Sequence, residues 1–132
     1  MANHTTLFIL VDDDPINNLL LKKALEKNLS GAEVKDFLEP ELALKYIATE
    51  FEHNQNEGRK IIFLDINMPT LSGWEFLEAF DQFSVQIKQQ FSIYILSSTI
   101  DPADIQRAKN NTLVVDFIEK PLKKEFLLKT FC

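Results

Sequence analysis

The sequence predicts an α/β protein: five strands alternate with five helices, and the strands join in a parallel sheet covered by helices on both faces. Two observations carry this. Short apolar runs of strand length, bounded by turn residues, recur along the chain, and between them apolar residues return at helical spacing. The runs Leu7–Val11 and Ile61–Leu64 are continuously apolar, as suits strands buried on both faces of a parallel sheet. At 132 residues the chain is long enough for one domain with a single substantial core.

The first strand, Leu7–Val11, runs into Asp12, Asp13, Asp14 and Pro15. Asp14 before Pro15 is a helix start: the carboxylate can accept from the first free backbone N–H groups, and proline suits the first helical position. Ile16, Leu19, Leu20, Ala24 and Leu25 then recur at helical spacing, opposite Lys22, Lys23, Glu26 and Lys27, and Asn28 to Gly31 stop the helix. Ala32–Leu38 alternates and reads as a half-buried edge strand. Glu39-Pro40 opens a second helix with Leu44, Ile47, Ala48 and Phe51 on one side, and the polar stretch Glu52–Arg59 is a loop.

The stretch Lys60–Gly73, KIIFLDINMPTLSG, holds the central strand, which ends in Asp65 and a turn with Pro69 and Gly73. Trp74, Leu77, Phe80 and Phe83 mark the third helix, and Ser84–Gln90 is a loop or an extension of it. Ser92–Leu96 is the fourth strand and ends in Ser97, Ser98 and Thr99. Asp101-Pro102 repeats the helix start ahead of Ile105 and Ala108. Leu113–Ile118 is the last strand, followed by Glu119, Lys120 and Pro121, and Phe126, Leu127 and Phe131 belong to a terminal helix.

A parallel sheet sends every strand's carboxyl end to one edge, where open α/β sheets place their chemistry. Asp12 and Asp13 follow the first strand, Asp65 the third, Ser97 and Ser98 the fourth, and Lys120 the fifth. A single strand-end acid is commonplace; three carboxylates, hydroxyls and an ammonium at one edge are not. Close carboxylates repel even at an effective dielectric of about 20, so they require raised proton affinity or a cation. With no His or Cys nearby, zinc is disfavoured, and the oxygen ligands suit Mg²⁺, with Mn²⁺ as an alternative. Mg²⁺ and Lys120 could neutralise a phosphoryl group while Ser97 donates a hydrogen bond to it. One carboxylate could then act as nucleophile, and Asp65, standing apart from the Asp12–Asp13 pair, is the best placed.

Composition narrows the classes further. The apolar fraction is 45%, and no window approaches the roughly 20 apolar residues of a membrane span. The start MANHTT has no signal-peptide apolar core, and the one cysteine, Cys132, excludes an internal disulfide framework. A net charge of −6 without a basic run argues against direct binding of nucleic acid. A cytoplasmic protein is the simplest expectation.

Four pieces, LFILVDDDP at Leu7–Pro15, IIFLDINMPTLSG at Ile61–Gly73, IYILSS at Ile93–Ser98 and DFIEKPL at Asp116–Leu122, resemble the receiver domain of two-component response regulators. The resemblance covers nearly the whole chain and implies one receiver domain over residues 1–132, with its core at about 6–131. It implies a flavodoxin-like sheet of order 2-1-3-4-5. It makes Asp65 the acceptor of a phosphoryl group from a histidine kinase or histidine phosphotransfer protein. Asp13 would bind Mg²⁺ directly, Asp12 through water, and Asn67 through its backbone carbonyl, with Asp65 completing the set. Lys120 would pair with the phosphoryl oxygens, Ser97 would be the hydroxyl switch, and Phe117 the aromatic switch three residues before the lysine. The Lys120–Pro121 peptide would be cis.

Ser98 stands where alanine is usual, Phe117 lacks the tyrosine hydroxyl, and Asn110–Thr112 replaces the glycine usual before the last strand. The function implied is self-phosphorylation and self-dephosphorylation at Asp65, not turnover of external substrates. Output would pass to a protein target through the fourth helix, fifth strand and fifth helix, because no effector follows Phe131 and Cys132. The alternative is a receiver fold that docks a partner regardless of phosphorylation. Phosphohydrolases using an aspartyl phosphate commonly need a second acid two residues after the nucleophile, and that position here is Asn67.

Overall fold

The strands form because their residues are β-branched or aromatic and have two covered faces to fill. In the computed structural model, which describes residues 5–53 and 58–131, β1 (Thr6–Val11) buries every residue from Leu7 onward. His4, Cys132 and part of the polar loop after Phe51 lie outside the described residues. The chain continues through α1 (Pro15–Asn28), β2 (Ala32–Phe37), α2 (Pro40–Phe51), β3 (Lys60–Asp65), α3 (Gly73–Asp81) and α4 (Val85–Lys88). It ends with β4 (Phe91–Ser97), α5 (Pro102–Lys109), β5 (Val114–Glu119) and α6 (Lys124–Phe131). All four strand pairings are parallel, and the order is β2-β1-β3-β4-β5. This is the flavodoxin-like order that the resemblance implies.

Period-two alternation divides the core between the two faces of the sheet. Ile9, Val11, Ile62, Leu64, Ile93 and Ile95 face α2, α3, α4 and α5, where Ile47, Phe76, Phe80 and Ile87 are buried. Their neighbours Phe8, Leu10, Ile61, Phe63, Tyr94 and Leu96 face Leu25 of α1 and Leu127 of α6. Phe8 stacks on Phe63 with centroids 5.9 Å apart, and Phe131 meets Phe8 edge-on at 5.3 Å. Such pairs add about 0.5–1.5 kcal/mol each beyond burial, which fastens the terminal helix to the sheet.

Two sequence expectations change. Among the described residues there are six helices, not five, because Val85–Lys88 forms a short turn of helix within the stretch read as a loop or extension. Ser84 caps it by accepting from Ile87 N–H at 3.3 Å, and Ile87, the apolar residue in a polar stretch, is buried in the core. The second change concerns α1. Ile16, Leu19 and Leu20, expected in its core stripe, are 65%, 51% and 61% exposed. The face turned inward keeps Ala24 and Leu25 of that stripe and adds Asn18 and Leu21. Apolar residues occur on both sides of this helix, so periodicity alone does not select its rotation.

Register brings the site together. Val11 lies opposite Leu64, Asp65 opposite Leu96, and Ser97 opposite Glu119. The residues just past those ends, Asp12 and Lys120, are thereby set on either side of Asp65.

Candidate functional site

Asp12 is the first residue beyond β1, and its burial is made tolerable by a full set of partners. Its N–H donates to Phe37 O at 3.1 Å, continuing the ladder to β2. Its Oδ1 accepts from Asp14 N–H at 3.0 Å, and its Oδ2 accepts from Lys120 Nζ at 2.7 Å. Asp14 is occupied with capping α1, accepting from Ile16 N–H at 2.9 Å and Asn17 N–H at 3.4 Å, so it stands outside the cluster. Asp65 closes β3, and its Oδ1 accepts from Asn67 N–H at 3.2 Å and lies 3.8 Å from Lys120 Nζ. Carboxylate oxygens of Asp12, Asp13 and Asp65 all lie within 4.8 Å of one another; Asp12 and Asp65 are buried and Asp13 is exposed.

One ammonium cannot neutralise three carboxylates. Burial, then the charge of Asp12, push the Asp65 carboxyl up to about 6, and a smaller contribution from Asp13 adds to this. Lys120 and the Asn67 N–H pull the other way and do not offset it. A carboxylate cluster short of positive charge, made only of hard oxygen donors and open to solvent at Asp13, fits a divalent cation such as Mg²⁺. Lys120 is tied to the end of β4 by its N–H, which donates to Ser97 O at 2.8 Å. The Lys120–Pro121 peptide is cis.

The remaining predicted residues are placed less uniformly. Ser97 is fully buried and turned into its own loop, its Oγ donating to Thr99 O at 2.8 Å and accepting from Thr99 N–H at 3.2 Å. Exposed Ser98, not Ser97, lines the cleft with Asp12, Asp65 and Lys120. Phe117 is half-buried and packs against the core on the α2–α5 side. Asn67 is exposed beside Asp65, joined to it through its backbone N–H.

Three features escaped sequence reasoning. Gly73 is one: a Cβ there would lie 2.6 Å from Ile66 Cα and 2.8 Å from Asp65 O, so the start of α3 seats against the strand end only without a side chain. Gly73 N–H donates to Ile66 O at 3.1 Å across that contact. The second is the apolar wall of the cleft, about 310 Å³, made by Leu20 and Leu21 of α1 and by Leu122. The third is Asn18, a polar residue on the inward face of α1 with Leu21 and Leu25; because apolar residues lie on both sides of the helix, spacing alone did not mark it.

A doubly wound parallel α/β domain with an acidic, lysine-bearing carboxyl edge is the class that fold and site define together. The model of the response regulator receiver domain family matches residues 8–131, and the chain belongs to that family. Solved structures agree. A two-component response regulator from Cytophaga hutchinsonii is 27% identical, with TM-score 0.84, covering 96% of this chain and 94% of that one. A response regulator receiver protein from Dyadobacter fermentans is 25% identical, with TM-score 0.82, covering 95% and 97%. The Vibrio cholerae chemotaxis protein CheY4 is also 25% identical, with TM-score 0.74 and coverages of 96% and 95%. A search of curated protein sequences finds no match. No helix among the described residues is long and apolar enough to cross a membrane.

Proposed function

We propose that this chain is the phosphoacceptor of a two-component phosphorelay, taking a phosphoryl group from a phosphohistidine onto Asp65. The observation that carries the reading is the Asp12–Asp13–Asp65 cluster with Lys120 bridging Asp12 and Asp65. A carboxylate oxygen of Asp65 forms the new P–O bond as the P–N bond to the donor imidazole breaks, and that nitrogen takes a proton from solvent. Lys120, already within ion-pair distance of Asp65, moves its charge onto the phosphoryl oxygens. Asp12, Asp13, Asp65 and the Asn67 carbonyl would hold Mg²⁺, which when bound supplies further positive charge to the transferring group. Water later hydrolyses the acyl phosphate, which restores Asp65; no external substrate is turned over.

Ser97 is the hydroxyl that would leave Thr99 to bond the phosphoryl group, with Ser98 at the cleft and Phe117 responding beside it. Because Lys120 N–H and Ser97 O share a hydrogen bond, these movements bias α5, β5 and α6, the face offered to a downstream protein. The partners are a histidine kinase or histidine phosphotransfer protein and a protein target, in the cytoplasm, with no direct role for nucleic acid or membrane.

The test is incubation with acetyl phosphate or a phosphorylated histidine donor, with Mg²⁺, followed by intact-protein mass spectrometry. The wild type gains one phosphoryl group, and Asp65→Asn gains none. Unchanged labelling of Asp65→Asn, or no labelling of the wild type by any donor, would reject the proposal.

A further inference from the structure

Asn18 is 2% exposed, and it is the polar side chain that α1 turns toward the sheet. Its Nδ2 donates to Asp12 O at 3.1 Å and to Phe37 O at 3.3 Å. Both neighbours are carbonyls, which can only accept, so the nitrogen of the amide must face them. The same Phe37 carbonyl accepts from Asp12 N–H at 3.1 Å. One side chain therefore joins three elements: α1, the end of β1 and the end of β2.

The bond to Asp12 O has a consequence for the site. That oxygen belongs to the peptide linking Asp12 to Asp13, and a peptide unit is planar. Fixing the direction of the carbonyl fixes the plane, and with it the direction in which Asp13 leaves β1. The Asp12 side chain is already held by Asp14 N–H and Lys120, whereas exposed Asp13 has no comparable restraint among the described residues. The relative orientation of the two carboxylates thus depends on this one peptide plane.

We propose that Asn18 is the positioning residue of the acid pair: by holding the Asp12–Asp13 peptide it sets the affinity of the cluster for a divalent cation. This rests on the reading of Asp12, Asp13 and Asp65 as a cation site. It also accounts for the rotation of α1, since turning Ile16, Leu19 and Leu20 inward would pull the amide away from the buried Asp12 carbonyl and from that of Phe37. The two N–H bonds on the one amide nitrogen meet both acceptors. Groups that orient metal ligands from behind typically change affinity 10- to 100-fold when removed.

The experiment is titration of Mn²⁺ into the full chain, with free Mn²⁺ read by electron paramagnetic resonance. Wild type, Asn18→Ala and Leu25→Val are compared at a temperature where circular dichroism shows each folded. Leu25→Val loosens the same helix from its buried side without touching the acids. The expected result is a tenfold or greater loss of Mn²⁺ affinity in Asn18→Ala, and wild-type affinity in Leu25→Val. Equal affinity in Asn18→Ala and wild type overturns the proposal and leaves the cation site standing. An equal loss in Leu25→Val also overturns it, because helix stability rather than the amide would then be responsible. No Mn²⁺ binding by the wild type overturns both this proposal and the cation site beneath it. Should Asn18→Ala not fold, Asn18→Ser, which keeps a small polar side chain, decides by the same affinities.

Discussion

Burial strips water from Asp65 and leaves it facing Asp12, with Lys120 as its nearest counter-charge at 3.8 Å. Its proton affinity in the folded chain, about 6, therefore exceeds the ordinary value of 3.8. Between those two pH values the native state holds more protons than the unfolded chain, so metal-free stability falls as pH rises through that window. The full penalty is present at pH 7; at about 1.4 kcal/mol per unit it approaches about 3 kcal/mol. Asp65→Asn removes the carboxylate, so in EDTA at pH 7 it should be more stable than wild type by up to that amount. Urea denaturation checks this, and the advantage should close toward pH 4. The opposite holds for Lys120. Lys120→Met leaves three carboxylates without their ammonium; breaking a fully buried pair from one side costs roughly 3–5 kcal/mol, which is the upper bound for this part-buried one. Its urea midpoint in EDTA should fall accordingly, with part of the loss recovered in Mg²⁺.

Elements hold the site by how they meet the sheet. Serine at position 72 caps α3, accepting from Glu75 N–H at 3.1 Å while Glu75 Oε1 accepts from Ser72 N–H at 2.9 Å. That capping box delivers Gly73 against the end of β3, where no side chain fits. Gly73→Ala should lower stability by about 1–3 kcal/mol, as overpacking does, and displace the Asp65 end of the strand. Thermal denaturation and the rate of labelling by acetyl phosphate measure the two effects. Farther round the sheet, α5 has Ala108 as its buried residue, and Arg107 lies over the Trp74 ring of α3 at 4.5 Å. Exposed cation–π pairs contribute about 0.5–1 kcal/mol, so Arg107→Gln should loosen α5 slightly. A change in Trp74 fluorescence, in the sequence's one tryptophan, reports that loosening. The rotation of α1 was illegible beforehand for a related reason. Leucines lie on both its sides, and the bonds of Asn18 that select a face involve Phe37, nineteen residues away in sequence.

Across the whole molecule, what could be read from the sequence was what local patterning controls. Leu7–Val11 and Ile61–Leu64 announce buried strands because both faces of a parallel sheet are covered, and a parallel sheet collects their ends at one edge. Asp12, Asp65 and Lys120 were legible as a set for that reason alone. The close approach at Gly73 and the amide of Asn18 depend on contacts that exist only after the elements dock. The same distinction makes cation binding a measure of folding. Asp12, Asp13 and Asp65 approach within 4.8 Å only in the native chain, since β1 and β3 are separated in sequence by α1, β2 and α2. Mg²⁺ should bind the native state and ignore the unfolded one, so stability rises as RT ln(1 + [Mg²⁺]/Kd). At a hundred times Kd that is about 2.7 kcal/mol, or about 1–2 M in urea midpoint for a domain of this size. Asp13→Asn keeps the Asp12–Lys120 pair and takes away the exposed carboxylate. Its midpoint in EDTA should match wild type within about 0.5 kcal/mol, as surface substitutions do, yet fail to rise with Mg²⁺. A wild-type midpoint unmoved between EDTA and millimolar Mg²⁺ would mean that the cluster is neutralised by protons and Lys120 alone.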